Sequence, residues 1–303
     1  MSALSDKAAP RPTGVSFPLK GQPVQGLSGI KNLKDGTFLT LSDNGFGSKA
    51  NSPDAMLTFH VVKPDWKSGT VERVSIVFLS DPDRKVPFRI VNENTPRRYL
   101  TGGDFDIESI QPIGEALWFG DEFGPFLIKT DRAGKVLQVF ETKVDGKFLY
   151  PLLEGPLPTA SGEPEAKDGK RFLRILEFDV AKGEYTGKSF KYALEAPNNS
   201  IGDFNLIDAE GDLAQADADG FVKKVGYIDL MDIDDPQKIA RQGGRDGKLT
   251  FPFFTIENVD LVDADRIIVD NDNNLPFSSG RALGKVDDNE LILLKVTDLL
   301  RAK

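Results

Sequence analysis

A short module recurs four times along the chain. In each copy, an apolar strand that carries a polar residue is followed 13 to 15 residues later by a second apolar strand ending in acid or amide groups. The four pairs of polar positions are Ser28 and Asp43, Glu108 and Asp121, Asp203 and Asp217, and Glu257 and Asn271. Reuse of one unit at nearly constant spacing predicts a repeat architecture in which oxygen ligands from several copies converge.

Strand and turn patterns dominate the rest of the sequence. Apolar or alternating runs such as TFLTLS, MLTFHVV, KKVGYIDL and ELILLKV are bounded by DG, DNG and AGK turns. Alternating strand–helix units are missing, which argues against the Rossmann and TIM folds and leaves a propeller, a sandwich or a solenoid. We predict an all-β protein, a β-propeller of five or six blades. Residues 1–20 would form an extended lead-in, and residues 21–303 a single propeller domain.

The composition removes several kinds of chemistry. The 303 residues include no cysteine, which excludes disulfides, thiolate nucleophiles and cysteine-bound metals. The single histidine, His60, has neither an acid nor a Gly-x-Ser-x-Gly elbow nearby, so we expect no Ser-His-acid triad. The net charge of −9 argues against a nucleic-acid partner. No apolar run is long enough to cross a bilayer, so no membrane partner is expected.

The repeated module predicts a metal site. In a propeller the innermost strands line a central channel, so equivalent side chains of successive blades point at one axis. Carboxylates held that close need a cation to stay charged, and oxygen-only ligands suit Ca²⁺ best and Mg²⁺ or Mn²⁺ second. Ordinary turns are the alternative role for the DNG and DNN sequences. The ligands predicted from the module are Asp43, Asn44, Glu108, Asp121, Glu122, Asp203, Glu257, Asn271 and Asp272.

Arginines lie close to these segments in the sequence. Arg98 precedes the Glu108 strand, Arg281 follows the Asn271 turn, and Arg84 lies in LSDPDRK. A guanidinium group binds phosphate or carboxylate through two parallel hydrogen bonds, so Arg98 and Arg281 are candidates for holding an anionic substrate. A surface salt bridge is the alternative role for each of them.

Several specific motifs follow one another along the chain: GLSGI with SDNGFG, RYLTGGDFDIESI with LWFGDEFGPFLIKTD, YPLLEGPL, IGDF, and TIENV with DNDNNLPFSSGR and DDNELILL. This set carries a resemblance to the phytase-like family, described as esterase-like activity of phytase. It implies a β-propeller, Ca²⁺ and hydrolysis of phosphate or carboxylic esters, and it adds Glu154 to the metal ligands. It also implies export, to the periplasm or outside the cell. The N-terminus lacks an apolar signal core, so we expect the sequence to be the mature form, and we expect a monomer.

Three functions follow as hypotheses. The first is a metal-dependent hydrolase of small anionic phosphate or other esters, with Glu108 or Glu257 as general base. The second is a lactonase or phosphotriesterase of the gluconolactonase type, which also uses acids and amides around one Ca²⁺. The third is a ligand- or partner-binding propeller with a decayed site. Two departures from the family favour the third: VLQVFETK runs almost directly into VDGKFLYPLLEGPL, as if an inner strand were deleted, and Gln215 replaces a glutamate.

Overall fold

A computed structural model describes residues 13–124, 126–141, 148–150, 152–153, 155–179, 184–197, 199, 201–205 and 216–302. In this part of the chain the protein is all-β, with several small antiparallel sheets and one short helix. The chain divides into two compact units, Met1–Val139 with Tyr227–Thr297 and Phe140–Gly226 with Asp298–Lys303. None of the helices within the described residues has the length and apolar character that a membrane span requires.

The first unit opens with two four-stranded meanders. Each sheet keeps sequence order, so every strand pairs with the next one through an antiparallel turn. Asp35 and Asp131 cap two of these turns with their carboxylates, which accept the backbone N–H groups of Thr37 and Ala133. The strands are β1 (Leu27–Asn32), β2 (Phe38–Ser42), β3 (Thr58–Asp65) and β4 (Thr70–Phe78), then β5 (Ile107–Ile113), β6 (Ala116–Asp121), β7 (Phe126–Thr130) and β8 (Val136–Glu141).

The second unit is built on one long hairpin. Its strands are β9 (Phe148–Leu149), β10 (Ala166–Lys167), β11 (Lys170–Asp179) and β12 (Glu184–Ala193). Strand β11 pairs with each of the other three. The predicted site residue Asp203 lies in this unit, in a segment that has no strand between residues 201 and 205.

Two further sheets complete the first unit. A small sheet has the order β13–β15–β14, and a meander runs β16–β17–β18. The strands are β13 (Ile233–Asp234), β14 (Gly244–Arg245), β15 (Lys248–Leu249), β16 (Asn258–Leu261), β17 (Arg266–Asp270) and β18 (Leu291–Lys295). Helix α1 (Thr297–Leu300) begins at the last residue of the first unit and continues in the second. Residues 223–230, predicted as a strand from KKVGYIDL, form none. Val225 and Tyr227 are 46% and 88% exposed, whereas Ile228 and Leu230 pack against the apolar cluster of Phe251 and Phe253.

The recurring module is an antiparallel pair in three of its four copies. Leu27 pairs with Ser42, Ile107 with Asp121, and Asn258 with Asp270. The start of each first strand therefore meets the end of its second strand, which explains the nearly constant spacing seen in the sequence. The second half of the remaining copy falls partly outside the described residues.

The first strands of these three modules come together in the first unit. Strand β1 lies against both β5 and β16, and β2 also lies against β5. A large apolar cluster that includes Leu41, Phe59 and Phe119 fills the space between the first two sheets. A smaller one joins Ile30 and Phe38 to Ile268 of β17. This packing brings the polar ends of three sheets to one place.

Candidate metal centre

Three carboxylates from two sheets converge at this place. Asp43 follows β2, Asp106 directly precedes β5, and Glu108 lies in β5. One oxygen atom from each of the three lies within 4.8 Å of the other two. Asp106 is 5% exposed, and Asp43 and Glu108 are half-buried. The arrangement therefore holds three acids close together and largely away from water.

Asp43 is held by a tight backbone turn against Gly26. The Asp43 N–H donates to the Gly26 carbonyl at 2.9 Å, and the Asp43 carboxylate accepts the Gly45 N–H at 2.7 Å. Gly26 has a φ of 55°, and a Cβ atom at this position would overlap the Asp43 carboxylate. The glycine that opens GLSGI is thus required for the close approach of the acid.

Asp106 is fixed from both neighbouring elements. Asn44 donates to it twice, from its backbone N–H at 3.2 Å and from its side-chain amide at 2.6 Å. The Asp106 N–H donates to Oδ1 of Asp121 at 2.8 Å, and the Asp106 carbonyl accepts the Glu122 N–H at 2.8 Å. Asn44, Asp121 and Glu122, all predicted as ligands, therefore surround Asp106.

The third sheet contributes Glu257 and Asp272. Glu257 lies immediately before β16, and its Oε2 accepts a hydrogen bond from the Ser28 hydroxyl at 3.2 Å. Asp272 lies two residues beyond β17 and is 3% exposed, and its Oδ1 accepts the Asn274 N–H at 2.6 Å. Glu257 is therefore tied to β1 of the first sheet and Asp272 is held by its own turn, and both lie close enough to Asp43 to act on it electrostatically.

Mutual repulsion links these acids electrostatically. Burial raises the pKa of Asp43 well above its usual value, and the charges of Asp272, Asp106 and Glu257 raise it further. Burial, followed by the charges of Asp43 and Asp106, does the same to the pKa of Glu108. Five carboxylates from three sheets thus act on one another. We call Asp43, Asp106, Glu108, Glu257 and Asp272 the acidic centre.

Burial also raises the pKa values of neighbouring acids. Burial raises the pKa of Asp121 to about 6 and that of Asp272 to about 6. Asp270 has no solvent exposure, and neither of its carboxylate oxygens has a hydrogen-bond partner among the described residues. Burial, then the charge of Asp272, raises its pKa well above the usual value. A region with so many desolvated acids favours either protons or a cation.

The donor set fits a hard divalent cation. Carboxylate oxygens make up the acidic centre, and Ca²⁺, Mg²⁺ and Mn²⁺ prefer such ligands. The charges of these acids repel one another and raise the pKa values of Asp43 and Glu108, and a bound cation would relieve that repulsion. The residues therefore fit a divalent cation.

The remaining predicted ligands lie in different surroundings. The side chain of Asn271 donates to the Asp288 carbonyl at 3.1 Å and accepts the Glu290 N–H at 2.7 Å, so it ties two loops together. Asp203 accepts hydrogen bonds from the Phe204 N–H at 2.7 Å and the Asn205 side chain at 2.8 Å. Glu154 lies outside the described residues, as does Gln215.

The two predicted substrate arginines are engaged with acids. Arg98 is 3% exposed and donates to Asp81 at 3.0 Å, and it forms an ion pair with Glu93 at 2.8 Å. Arg281 donates to both oxygens of Glu290, at 3.0 and 2.5 Å. Both guanidinium groups therefore help to hold their own loops in place.

His60 lies among hydroxyl groups. Its Nε2 is 3.2 Å from the Ser42 hydroxyl and 3.4 Å from the Thr58 hydroxyl, and the side chain is 2% exposed. Burial, and to a lesser extent Arg73, lowers its pKa to about 4, so the ring is neutral at physiological pH. A buried neutral imidazole whose ring nitrogen meets hydroxyls is a core residue of the sheet.

Sequence reasoning missed Asp106, the most buried acid of the three-carboxylate cluster. Its signal was present, because Asp106 and Glu108 are two positions apart and alternate positions of a strand share a face. It also missed Asn273, whose side chain accepts the Gly26 N–H at 3.2 Å and so connects the third sheet to the turn that holds Asp43.

Fold and site together define an all-β protein whose sheet ends hold a buried, oxygen-only acidic centre suited to a divalent cation. The profile of the phytase-like family, described as esterase-like activity of phytase, matches residues 22–145 and 141–275. The chain therefore belongs to the phytase-like family. No curated protein matches it.

Proposed function

We propose that this protein is a Ca²⁺-dependent hydrolase of phosphate or other esters. The observation that carries the proposal is the convergence of Asp43, Asp106 and Glu108 within 4.8 Å in a partly buried place, where their charges repel. Membership of a family named for phytase and esterase activity supports the same reaction class.

The finer architecture belongs to the same proposal. The approach of β1 to both β5 and β16, in sheets whose strands follow sequence order, supports a propeller of five or six blades, which we propose for residues 21–303. Asp203, from the module, and Glu154, from the family resemblance, remain proposed metal ligands. The protein would act as a monomer in the periplasm or outside the cell.

The residues divide into two roles. Asp43, Asp106 and Glu108 would hold the cation, with Asp272 beside them. A bound cation would polarise the ester oxygen and lower the pKa of a bound water. Glu257 stands outside the three-carboxylate cluster, and the Ser28 hydroxyl fixes one of its oxygens. We therefore favour Glu257 as the general base. Glu108 would be the ligand that positions the cation next to it.

Substrate anions would be held by arginine. Arg98 and Arg281 stay the proposed groups, and each would have to exchange part of its contact with Glu93 or Glu290 for a substrate oxygen. Such an exchange replaces one charge-assisted hydrogen bond by another, but it leaves Glu93 or Glu290 with one donor fewer beside the incoming anion.

A substrate panel with metal control tests the proposal. Purified protein is stripped with chelator, resupplied with Ca²⁺, Mg²⁺ or Mn²⁺, and assayed on a phosphate monoester, a carboxylic ester and a lactone. We expect ester hydrolysis that the chelator abolishes and Ca²⁺ restores. Preference for the lactone would instead support the lactonase alternative. Absence of turnover on all three substrates with every cation would favour the binding-propeller alternative.

Variants assign the roles. Glu257→Gln and Glu108→Gln should each reduce turnover by about a hundredfold or more, the range that loss of a general base or of a bound metal produces. Glu115→Gln is the matched control, since Glu115 is an exposed acid at the turn between β5 and β6. His60→Ala should leave the turnover of the folded fraction unchanged. An essential His60 with dispensable Glu108 and Glu257 would replace the metal mechanism by nucleophilic catalysis.

A further inference from the structure

The long connection between β4 and β5 forms an open cavity of about 370 Å³. Its lining includes three arginines, Arg84, Arg89 and Arg98, against a single acid, Glu93, with Phe88 as an apolar wall. The lining residues carry a formal charge of +2, or +1 when Asp81, the ion-pair partner of Arg98, is counted, in a chain whose net charge is −9. A concave positive patch on an acidic protein attracts anions.

The loop that carries these arginines is rigid. The Asp81 carboxylate accepts the backbone N–H groups of Lys85 at 2.6 Å and Val86 at 3.2 Å, in addition to the Arg98 guanidinium. Val86 and Ile90 are buried in the apolar core, at 6% and 3% exposure. Arg89 lies between these two anchored residues, so its backbone is ordered before a ligand binds and the entropic cost of binding falls on its exposed side chain.

The three arginines differ in how free they are. Arg98 is buried and bound to Asp81 and Glu93. Arg84 pairs with Glu93, but 61% of its side chain is exposed. Arg89 is exposed and has no hydrogen-bond or ion-pair partner among the described residues. The cavity thus contains one uncommitted guanidinium, with a second one partly available.

The cavity lies beside the acidic centre. The Val91 N–H donates to Asp104 at 2.7 Å, two residues before Asp106. Lys49, which follows the Asp43 turn, has its Nζ 5.8 Å from the Phe88 ring and 5.1 Å from the Phe123 ring. Phe88 of the cavity and Phe123 of the segment after Asp121 are therefore neighbours of the same lysine.

We propose that the cavity of Arg84, Arg89 and Phe88 is a second anion site, which binds a phosphate group of the substrate remote from the ester that is cleaved. The planar guanidinium of Arg89 matches the paired oxygens of phosphate, and the exposed part of Arg84 adds a second donor. The assignment of the bound phosphate to a substrate rests on the proposed hydrolase function; the binding of phosphate itself does not. The substrate class is an ester that carries at least two anionic groups.

Phosphate binding without metal tests the site directly. Inorganic phosphate is titrated calorimetrically into the full chain in chelator at constant ionic strength, since exposed charges are screened by salt. We expect saturable binding that Arg89→Ala weakens by about tenfold or more, the loss that removal of one charge-assisted contact produces. Arg97→Ala is the matched control, because Arg97 is an exposed arginine of the same loop outside the cavity lining. The phosphate affinity of this variant should stay within about twofold of the wild type.

Three results would overturn the site: no saturable phosphate binding by the wild type, equal binding by wild type and Arg89→Ala, or equal losses in the Arg89 and Arg97 variants. Hydrolysis adds a separate readout. In an active enzyme, Arg89→Ala should raise KM for a bisphosphate and leave KM for a monophosphate unchanged, and equal KM changes would contradict the assignment. Arg89-dependent phosphate binding without any turnover would sustain the anion site while the proposed hydrolase function failed.

Discussion

Asn44 and Asp106 are joined by two hydrogen bonds that cross from the end of β2 to the start of β5. The Asn44 backbone donates to one carboxylate oxygen at 3.2 Å, and its side-chain amide donates to the other at 2.6 Å. Both residues are buried, at 1% and 5% exposure. The pair aligns two sheets and holds the Asp106 carboxylate at the acidic centre with its charge partly balanced by N–H dipoles.

Asn44→Ala should therefore weaken the centre. The substitution removes the 2.6 Å hydrogen bond and leaves one oxygen of a buried carboxylate without that donor, which costs about 1–3 kcal/mol of unfolding free energy. We expect a lower melting temperature in chelator and weaker Ca²⁺ binding. Denaturant unfolding and calorimetry measure the two effects. Unchanged stability with unchanged Ca²⁺ affinity would show that the pair does not support the centre.

Gly26→Ala should disturb Asp43 by direct overlap. The new methyl group would occupy the position of the Asp43 carboxylate, and the φ of 55° adds backbone strain. Gly36→Ala is the control, since Gly36 has a φ of 90° in open space and shares the strain without the overlap. We expect both variants to lose stability and only Gly26→Ala to lose Ca²⁺ affinity, as calorimetric titration would show. Equal Ca²⁺ affinities in the two variants would contradict the role given to Gly26.

The metal-free protein should gain stability as the pH falls from 7 towards 5. Asp121 and Asp272 have pKa values of about 6 in the folded state against an ordinary value of 3.8, and the pKa values of Asp43, Glu108 and Asp270 are also raised. These five acids make the folded state bind more protons in this window, and they outweigh His60, which gains a proton only in the unfolded state because its folded-state pKa is about 4. The unfolding free energy therefore rises as protons are added. Asp270→Asn should flatten this dependence, because it removes one buried titrating acid.

Denaturant melts in chelator across this pH window provide the measurement. Saturating Ca²⁺ should reverse the trend, since protons then compete with the cation for the same carboxylates. Stability that falls steadily from pH 7 to pH 5 in chelator would mean that these acids are not desolvated in the folded protein.

The sequence predicted the strand pair of each module but not the contacts between modules. Alternation and turn residues are local, and antiparallel pairing of each first strand with its second follows from them, so Asp43, Glu108 and Glu257 could be placed at sheet ends. The spacing of two positions between Asp106 and Glu108 was a signal for Asp106, which was missed because it stands one residue outside β5. Its contact with Asn44, 62 positions earlier, is non-local and no sequence pattern shows it. The ion pair between Arg98 and Asp81 likewise depends on the conformation of the loop between β4 and β5, which no local sequence pattern predicts. The strand expected from KKVGYIDL was wrong although Ile228 and Leu230 do pack against the core, because a strand also needs a backbone partner, which local alternation does not show.

A Ca²⁺ titration of the stripped protein tests the central claim most directly. Isothermal calorimetry should show saturable Ca²⁺ binding by the wild type and a rise in melting temperature, because the cation binds the folded state and relieves the repulsion there. Asp106→Asn should weaken that binding by about tenfold or more, while Glu115→Gln should leave it unchanged. The account is contradicted if the wild type binds none of Ca²⁺, Mg²⁺ and Mn²⁺, or if Asp106→Asn binds Ca²⁺ as tightly as the wild type.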